Sequence, residues 1–457
     1  MESFFAVVGA ISGFFWNILF LVVLVGGGLY LTIRLNFFQI RHLPYICKQT
    51  FGKIFDKGKG EGTVSPFFAV STAMASTIGA SNIVGVSLAI AFGGPGALFW
   101  MWITFILGGA TKFSEVVLGV HFRQKNADGH YIGGPGYYMT KGFPIKSVGK
   151  GMAMAGAFVC VIYYVPSIAT QAISLIQNAE SMGINKYISA VILMVLVGAV
   201  VLGGLIRVSK VASKMVPFMC ILYFLGCIIV LVANIGNLFP SLGLVFQSAF
   251  TGTAATGGFI GAGVSMAIRM GLARATYSCE AGMGSAPIAH AAAITDHPVR
   301  QGLWGVFEVL IDGSVCTLSG LVVLASGVWK EVAPAEALTM PAVAFQKVMG
   351  PVGTYIVTIS IFLFVLSSII AVIWYAEKLV EFCFNTKFSK YARVIYTLSV
   401  MVGAFFGVEA ILAVLDLANA LIILPNMITV LVLSPLIARL SKEYFSGEQF
   451  YLKDIKK

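Results

Sequence analysis

The residues best suited to chemistry lie between Ser71 and Ser87, in the run STAMASTIGASNIVGVS. This run sits inside a hydrophobic stretch, Pro66–Phe92, that is long enough to cross a bilayer. A spanning helix normally carries Leu, Ile, Val and Phe at its centre, but here the centre reads Ala75, Ser76, Thr77, Ile78, Gly79, Ala80, Ser81 and Asn82. Gly79 is a poor helix former, and the Ser, Thr and Asn side chains offer the backbone competing hydrogen bonds. At membrane depth, unwound backbone is tolerated only where protein buries it or where it lines a wet cavity. The chemistry open to such a break is recognition of a small polar ligand or an ion by main-chain N–H and C=O groups. A close helix–helix contact, which small residues also permit, is the competing reading.

Composition tells what must hold this stretch. The chain has 457 residues, 58% of them hydrophobic and only 11% charged, where a soluble protein carries roughly 25% charged residues. An all-α polytopic membrane protein is implied. Apolar windows give eleven expected spans: Phe14–Ile33, Pro66–Phe92, Ala97–Val120, Gly151–Gln177, Tyr187–Ile206, Met215–Ile235, Gly252–Met270, Gly302–Ala325, Val352–Tyr375, Val394–Val408 and Ile411–Ile437. Lys and Arg crowd alternate loops, as in Arg34–Lys59, Arg123–Lys150 and Lys378–Arg393, and the tail from Arg439 to Lys457. The positive-inside rule then sets the N-terminus outside and the C-terminus in the cytoplasm of a multi-pass cell-membrane protein. The net charge of +11 is thus a topology signal and not a nucleic-acid footprint. Glu2 precedes the first apolar segment where a signal peptide would carry basic residues, so that segment is read as a helix.

Setting the first span aside leaves ten, which divide into two sets of five. An odd number of helices per half makes the halves enter the membrane in opposite directions, the inverted-repeat plan of many secondary transporters. The expected divisions are residues 1–63 (extra helix and basic loop), 64–240 and 241–440 (the two repeats) and 441–457 (tail). The plan demands a second break at the start of the second half. Span seven meets it, with Gly257, Gly258, Gly261 and Gly263 inside seven residues around Phe259. Paired Gly-interrupted spans point to a midplane site and favour the ligand reading over mere packing.

Neither break contains a carboxylate or a base. A charged ligand must therefore be met by backbone, hydroxyls, amides and bound ions. Half-helix N-termini suit a carboxylate and C-terminal carbonyls suit an ammonium group or Na⁺, so a zwitterionic amino acid fits both. Phe259 among small residues leaves room only for a small side chain. Ser367 and Ser368 offer hydroxyls to a hard cation, or each bonds its own helix carbonyl. Tyr163 and Tyr164 point about 100° apart, so one faces the site; Gln171 shares the face of Tyr164. Glu115, Glu308, Asp312 and Asp416 lie within spans and are functional candidates by default. Lys112 and Glu115 are spaced to pair within one helix, and Glu308 and Asp312, four apart, are expected to reach Arg269 or Arg300 or to carry protons. The loops Gly133–Tyr138 and Glu280–Arg300 read as packed gating elements, and the cysteines as core residues without metal spacing. Nothing supplies a nucleophile–base pair, a phosphate loop or a filter-like repeat, which argues against an enzyme, a primary pump and a channel. The residues leave Na⁺ and H⁺ open as the coupling ion.

Three stretches, Ser76–Trp102, Gly133–Met139 (GGPGYYM) and Glu280–Leu303 (EAGMGSAPIAHAAAITDHPVRQGL), resemble the alanine or glycine:cation symporters. The resemblance implies a LeuT-type 5+5 inverted repeat with one extra N-terminal helix. It also implies Na⁺-coupled uptake of alanine or glycine, with no organic cofactor, and with the amino acid and membrane lipid, not nucleic acid, as partners. Carried onto these residues, Gly79, Ala80, Ser81 and Asn82 look like the broken segment that cradles the substrate. One cation is then implied at Asn82 and the Thr77 carbonyl, and a second at the Ala75 and Ile78 carbonyls with Ser367 and Ser368. The substrate set implied or read from the breaks is Thr77, Gly79, Ala80, Ser81, Tyr164, Gln171, Gly257, Gly258, Phe259 and Gly261. Ser81 replaces the pattern's second glycine, and Pro166 follows the tyrosines closely.

Overall fold

The structure is a computed structural model that describes residues 21–181, 183–251, 263–405 and 408–446. The second break, with Gly257, Gly258, Phe259 and Gly261, lies outside the described residues, as does the side chain of Asp416. The principal helices are α1 (Gly27–Arg34), α2 (Pro66–Thr77), α3 (Ser81–Gly93), α4 (Gly96–His121), α5 (Lys146–Ser181), α6 (Lys186–Val201), α7 (Gly204–Ala233) and α8 (Ile235–Thr251). They continue with α9 (Val264–Cys279), α10 (Ala286–His290), α11 (Pro298–Ala325), α12 (Pro351–Cys383), α13 (Thr386–Leu398), α14 (Val408–Val432) and α15 (Ser434–Phe445).

Among the described residues, five helices are long and apolar enough to cross a membrane: α4, α5, α7, α11 and α12. The count rises to seven if each of two bent pairs forms one span. The bent pairs are α2 with α3, at 53°, and the end of α14 with α15, at 56°. This is consistent with a polytopic membrane protein. Several boundaries differ from the hydropathy reading. Span five stops at Val201, and span six starts as early as Gly204 and forms a single 30-residue helix. Residues 236–250, expected to connect spans, belong to α8, whose Ser241, Val245, Ser248 and Ala249 face inward while Phe239, Phe246 and Phe250 face out. A two-sided helix of this kind carries too many polar residues to register as an apolar window. Span seven runs past Met270 to Cys279, which brings Glu280 to the end of a long helix and not into an open loop.

Two groups of helices meet around α2. On one side α4 packs against α9 and α11, with α3 against α9; on the other, α5 packs against α12 and α14, and α7 against α12. α2 touches both groups through α7, α11 and α12, and every residue from Ala69 to Thr77 is buried. The loop read as Glu280–Arg300 is packed too. Its α10 segment is followed by bridges from Ala293 to Val64 and from Thr295 to Glu61, and Arg123 donates to the carbonyls of Ala291 and Ala293. Gly133–Tyr138 leads into a helix, Pro135–Gly142.

Candidate functional site

Helix α2 starts well and ends abruptly. Ser65 Oγ accepts the Phe68 N–H at 3.2 Å, and Pro66 occupies the first turn, where its missing donor costs nothing. At Ile78 the backbone leaves the helix (φ −85°, ψ 84°) and resumes at Ser81, with the first turn of α3 wound as a π-helix. Such turns recur at functional sites. The consequence is a specific set of released backbone groups. In a continuous helix the Gly79 N–H would serve the Ala75 carbonyl; here it turns to Thr77 O (3.1 Å) and Asn82 Oδ1 (2.9 Å). The Ala80 N–H would serve Ser76 O but turns to Gln171 Oε1 on α5, at 3.4 Å. The Asn82 N–H would serve Ile78 O but bonds Gly79 O, at 3.2 Å. Ser76 O takes a substitute donor, Ser368 Oγ of α12, at 3.4 Å.

Gly79 is needed here for room and not for a special φ. A Cβ on it would lie 2.6 Å from Ser368 Oγ and 3.0 Å from Gln171 Nε2. The fold thus brings Gly79, Ala80, Asn82, Gln171 and Ser368 together at one point, beside the Ala75 and Ile78 carbonyls. It does not bring every candidate there. Ser367 bonds its own Phe364 carbonyl (2.9 Å) and faces Met219 of α7 (3.4 Å). Thr77 Oγ1 leans back on its own helix, and Ser81 Oγ reaches only the neighbouring Asn82. Tyr164 packs edge-on to Tyr163 and lines a cavity of about 20 Å³ with Cys160, Met283, Ser285 and Asn426.

The first broken stretch contains no carboxylate of its own, but one from another helix attends it. Asn82 Nδ2 donates to Asp312 Oδ1 of α11 at 2.5 Å, and Ser278 of α9 donates to the same carboxylate at 2.9–3.0 Å. Asp312 is fully buried. Its distance from Asn82 in sequence, 230 residues, explains why no local pattern linked them. Glu280, in the left-handed region at φ 51°, accepts from Ser285 and lies 3.4 Å from Ser76 Oγ. Its only sequence signal was its place in a glycine-rich motif.

A second polar layer lies between α4 and α11. The expected Lys112–Glu115 pair does not form. Lys112 Nζ lies 3.3 Å from Glu308 Oε1, and all three side chains are buried. Nor does Glu308 seek an arginine at the rim: Arg300 pairs with Asp296, at 2.6 Å, while Glu308 Oε2 meets His290 Nε2 at 3.2 Å. Gln301 Nε2 lies 2.7 Å from His290 Nδ1, so the amide donates there and the imidazole's Nε2–H faces Glu308. Glu115 Oε1 instead accepts from the Gly284 N–H (2.9 Å) and Asn426 Nδ2. Asn426 in turn donates to Gly282 O and accepts from Tyr138. Helical spacing proposes neighbours on one helix, but desolvation makes a buried charge take the best partner from any helix.

A bundle of apolar helices around a buried, unwound segment served by side chains from three other helices, α5, α11 and α12, is the architecture of a membrane transporter. The sequence matches the sodium:alanine symporter family over residues 1–455, and the chain belongs to that family. It is 44% identical to the uncharacterized transporter YflA of Bacillus subtilis over 460 residues, covering 100% of this chain and 97% of the relative. It is 36% identical to the sodium/alanine symporter AgcS of Methanococcus maripaludis, with 97% of each chain covered. It is 32% identical to the probable sodium/glutamine symporter GlnT of Bacillus subtilis, covering 96% of this chain and 90% of the relative.

Proposed function

We propose that this chain is a Na⁺-coupled symporter that imports small neutral amino acids, alanine and glycine, by alternating access between two broken helices of a LeuT-type inverted repeat. The repeats are residues 64–240 and 241–440, in a cell membrane with the N-terminus outside and the C-terminus in the cytoplasm. What carries the reading is the convergence at the α2–α3 break. Released main-chain N–H groups and carbonyls stand together there with Gln171, Asn82 and Ser368, a donor and acceptor set suited to a zwitterion and a hard cation. In this reading Gly79, Ala80, Ser81, Thr77, Gln171 and Tyr164 attend the amino acid, together with Gly257, Gly258, Phe259 and Gly261 of the second break. Na⁺ is held by the Ala75, Thr77 and Ile78 carbonyls with Asn82 and Ser368, while Ser367, which bonds its own Phe364 carbonyl and faces Met219, stands outside the set. The aromatic closure by Phe259 admits glycine and alanine and excludes leucine.

A second reading, coupling to protons, is favoured by one observation: the fully buried Asp312 carboxylate bonds directly to Asn82 at the break. Uptake of labelled alanine into liposomes holding the purified protein separates the two. Accumulation is expected to need an inward Na⁺ gradient and to survive collapse of the pH gradient. Equal uptake on a proton gradient in Na⁺-free buffer overturns Na⁺ coupling, and passive conductance without accumulation overturns both.

A further inference from the structure

The geometry points to a cation site built on the Glu280 carboxylate, with Ser76 Oγ and Tyr375 Oη as its other oxygens and Ser285 Oγ donating to the carboxylate from behind, on the side of α2 next to the Ser368 contact. None of the residues assigned above to Na⁺ belongs to it.

The case begins with an inventory of protons. Ser76 has one hydroxyl proton and three oxygen neighbours: Ala73 O at 2.8 Å, Tyr375 Oη at 3.3 Å and Glu280 Oε2 at 3.4 Å. The proton goes to Ala73 O, the only one of the three at full hydrogen-bond strength. The tyrosine hydroxyl can donate to Ser76, but the serine then has nothing left for the carboxylate. Its lone pairs face an anion, an arrangement that costs energy unless a positive charge lies between them.

The spacing fits such a charge. Oxygens about 2.3–2.6 Å from a hard cation of calcium's size, set at right angles, stand about 3.3–3.7 Å from each other, and Na⁺ has nearly that size. The Ser76–Tyr375 and Ser76–Glu280 separations fall in this range. The oxygens come from the end of α2, the C-cap of α9 and α12, so one ion would tie three helices together, with Ser285 of the turn before α10 holding the carboxylate in place. The donors are oxygens throughout, which suits an alkali cation and not a soft metal.

Charge points the same way. The buried lysine of this region, Lys112, is taken by Glu308, and among the described residues no cationic side chain pairs with Glu280. Glu280 is also only partly buried, unlike Asp312, Glu115 and Glu308, so an ion can reach it. It is held besides in a left-handed backbone conformation that non-glycine residues rarely adopt and that clusters at functional positions.

The proposal deepens the Na⁺-symport reading and rests on it for the ion's identity, so it is tested by binding as well as transport. Equilibrium binding of ²²Na⁺ to the purified full chain without amino acid is measured for wild type and Glu280→Gln, which keeps the size of the side chain and removes its charge. The concentration for half-saturation is expected to rise at least tenfold, with an unchanged elution profile. Tyr375→Phe, which removes one oxygen and no charge, is expected to raise it two- to fivefold, and it keeps the test decisive if the glutamine variant does not fold. Wild-type Na⁺ binding in a folded Glu280→Gln or in Tyr375→Phe overturns the proposal. So does a Glu280→Gln variant whose alanine uptake loses pH dependence while Na⁺ binding stays normal, because the positive charge would then be a proton. Wild-type protein that binds ²²Na⁺ through Glu280 yet accumulates no alanine on a Na⁺ gradient refutes the symport reading and leaves this site standing.

Discussion

Two bends of nearly equal angle, 53° between α2 and α3 and 56° between α14 and α15, are built in opposite ways. At the second the backbone ladder runs almost straight through. Leu433 N–H bonds Thr429 O at 2.9 Å, Leu436 and Ile437 N–H groups bond Leu433 O, and Pro435 supplies the change of direction while removing one donor. Among the described residues no side chain from another helix bonds the backbone there; Tyr30 reaches only the Ser434 hydroxyl. At the first bend three residues leave the helix, and Asn82, Gln171 and Ser368 take up the freed groups. Bend angle alone therefore does not mark a site. A site needs backbone groups released from the ladder and polar side chains lent from elsewhere to meet them, two of them here, Gln171 and Ser368, at a loose 3.4 Å that a ligand can replace.

The largest expected effect tests the buried ionic layer between α4 and α11, a kind of setting that the second bend lacks. Lys112→Met leaves Glu308 buried with its lysine partner gone and only His290 beside it, and should cost about 3–5 kcal/mol. This should be read as a lowered unfolding midpoint in detergent. The double variant Lys112→Met/Glu308→Leu should recover most of the loss, and a single variant as stable as wild type would contradict the pairing. Next is a matched pair at the two bends. Gly79→Ala forces Ser368 and Gln171 aside, and overpacking of about 1–3 kcal/mol corresponds to a roughly fivefold to hundredfold loss of alanine affinity. Leu433→Met, similar in volume, should leave alanine affinity unchanged. Equal losses in both variants would erase the distinction between the bends. The smallest effect belongs to the outer face of α15, where Arg439 and Glu443 lie 3.6 Å apart near solvent. Glu443→Ala should change stability by less than about 0.5 kcal/mol. A larger loss in a urea or thermal titration would mean that α15 is held by charge and not by its buried Ile437, Leu440 and Tyr444.

The sequence by itself determined what depends on local composition and periodicity. Apolar runs of span length gave most of the long helices, because burial of a whole helix needs no knowledge of its neighbours. Small and polar residues from Ala75 to Asn82 gave the break, because glycine and side chains that compete for backbone hydrogen bonds weaken a helix wherever it lies. What only the tertiary structure decided is which distant groups meet that break. Asp312 is bound to Asn82 across 230 residues and Glu280 faces Ser76 across 204. Lys112 prefers Glu308 on another helix to Glu115 one turn away, and of two adjacent serines Ser368 turns to α2 while Ser367 turns to Met219. A helix fixes the angle between neighbouring side chains but not which of them faces the core. That choice falls to packing, and a buried charge must find its partner among whatever helices packing brings within a few ångströms.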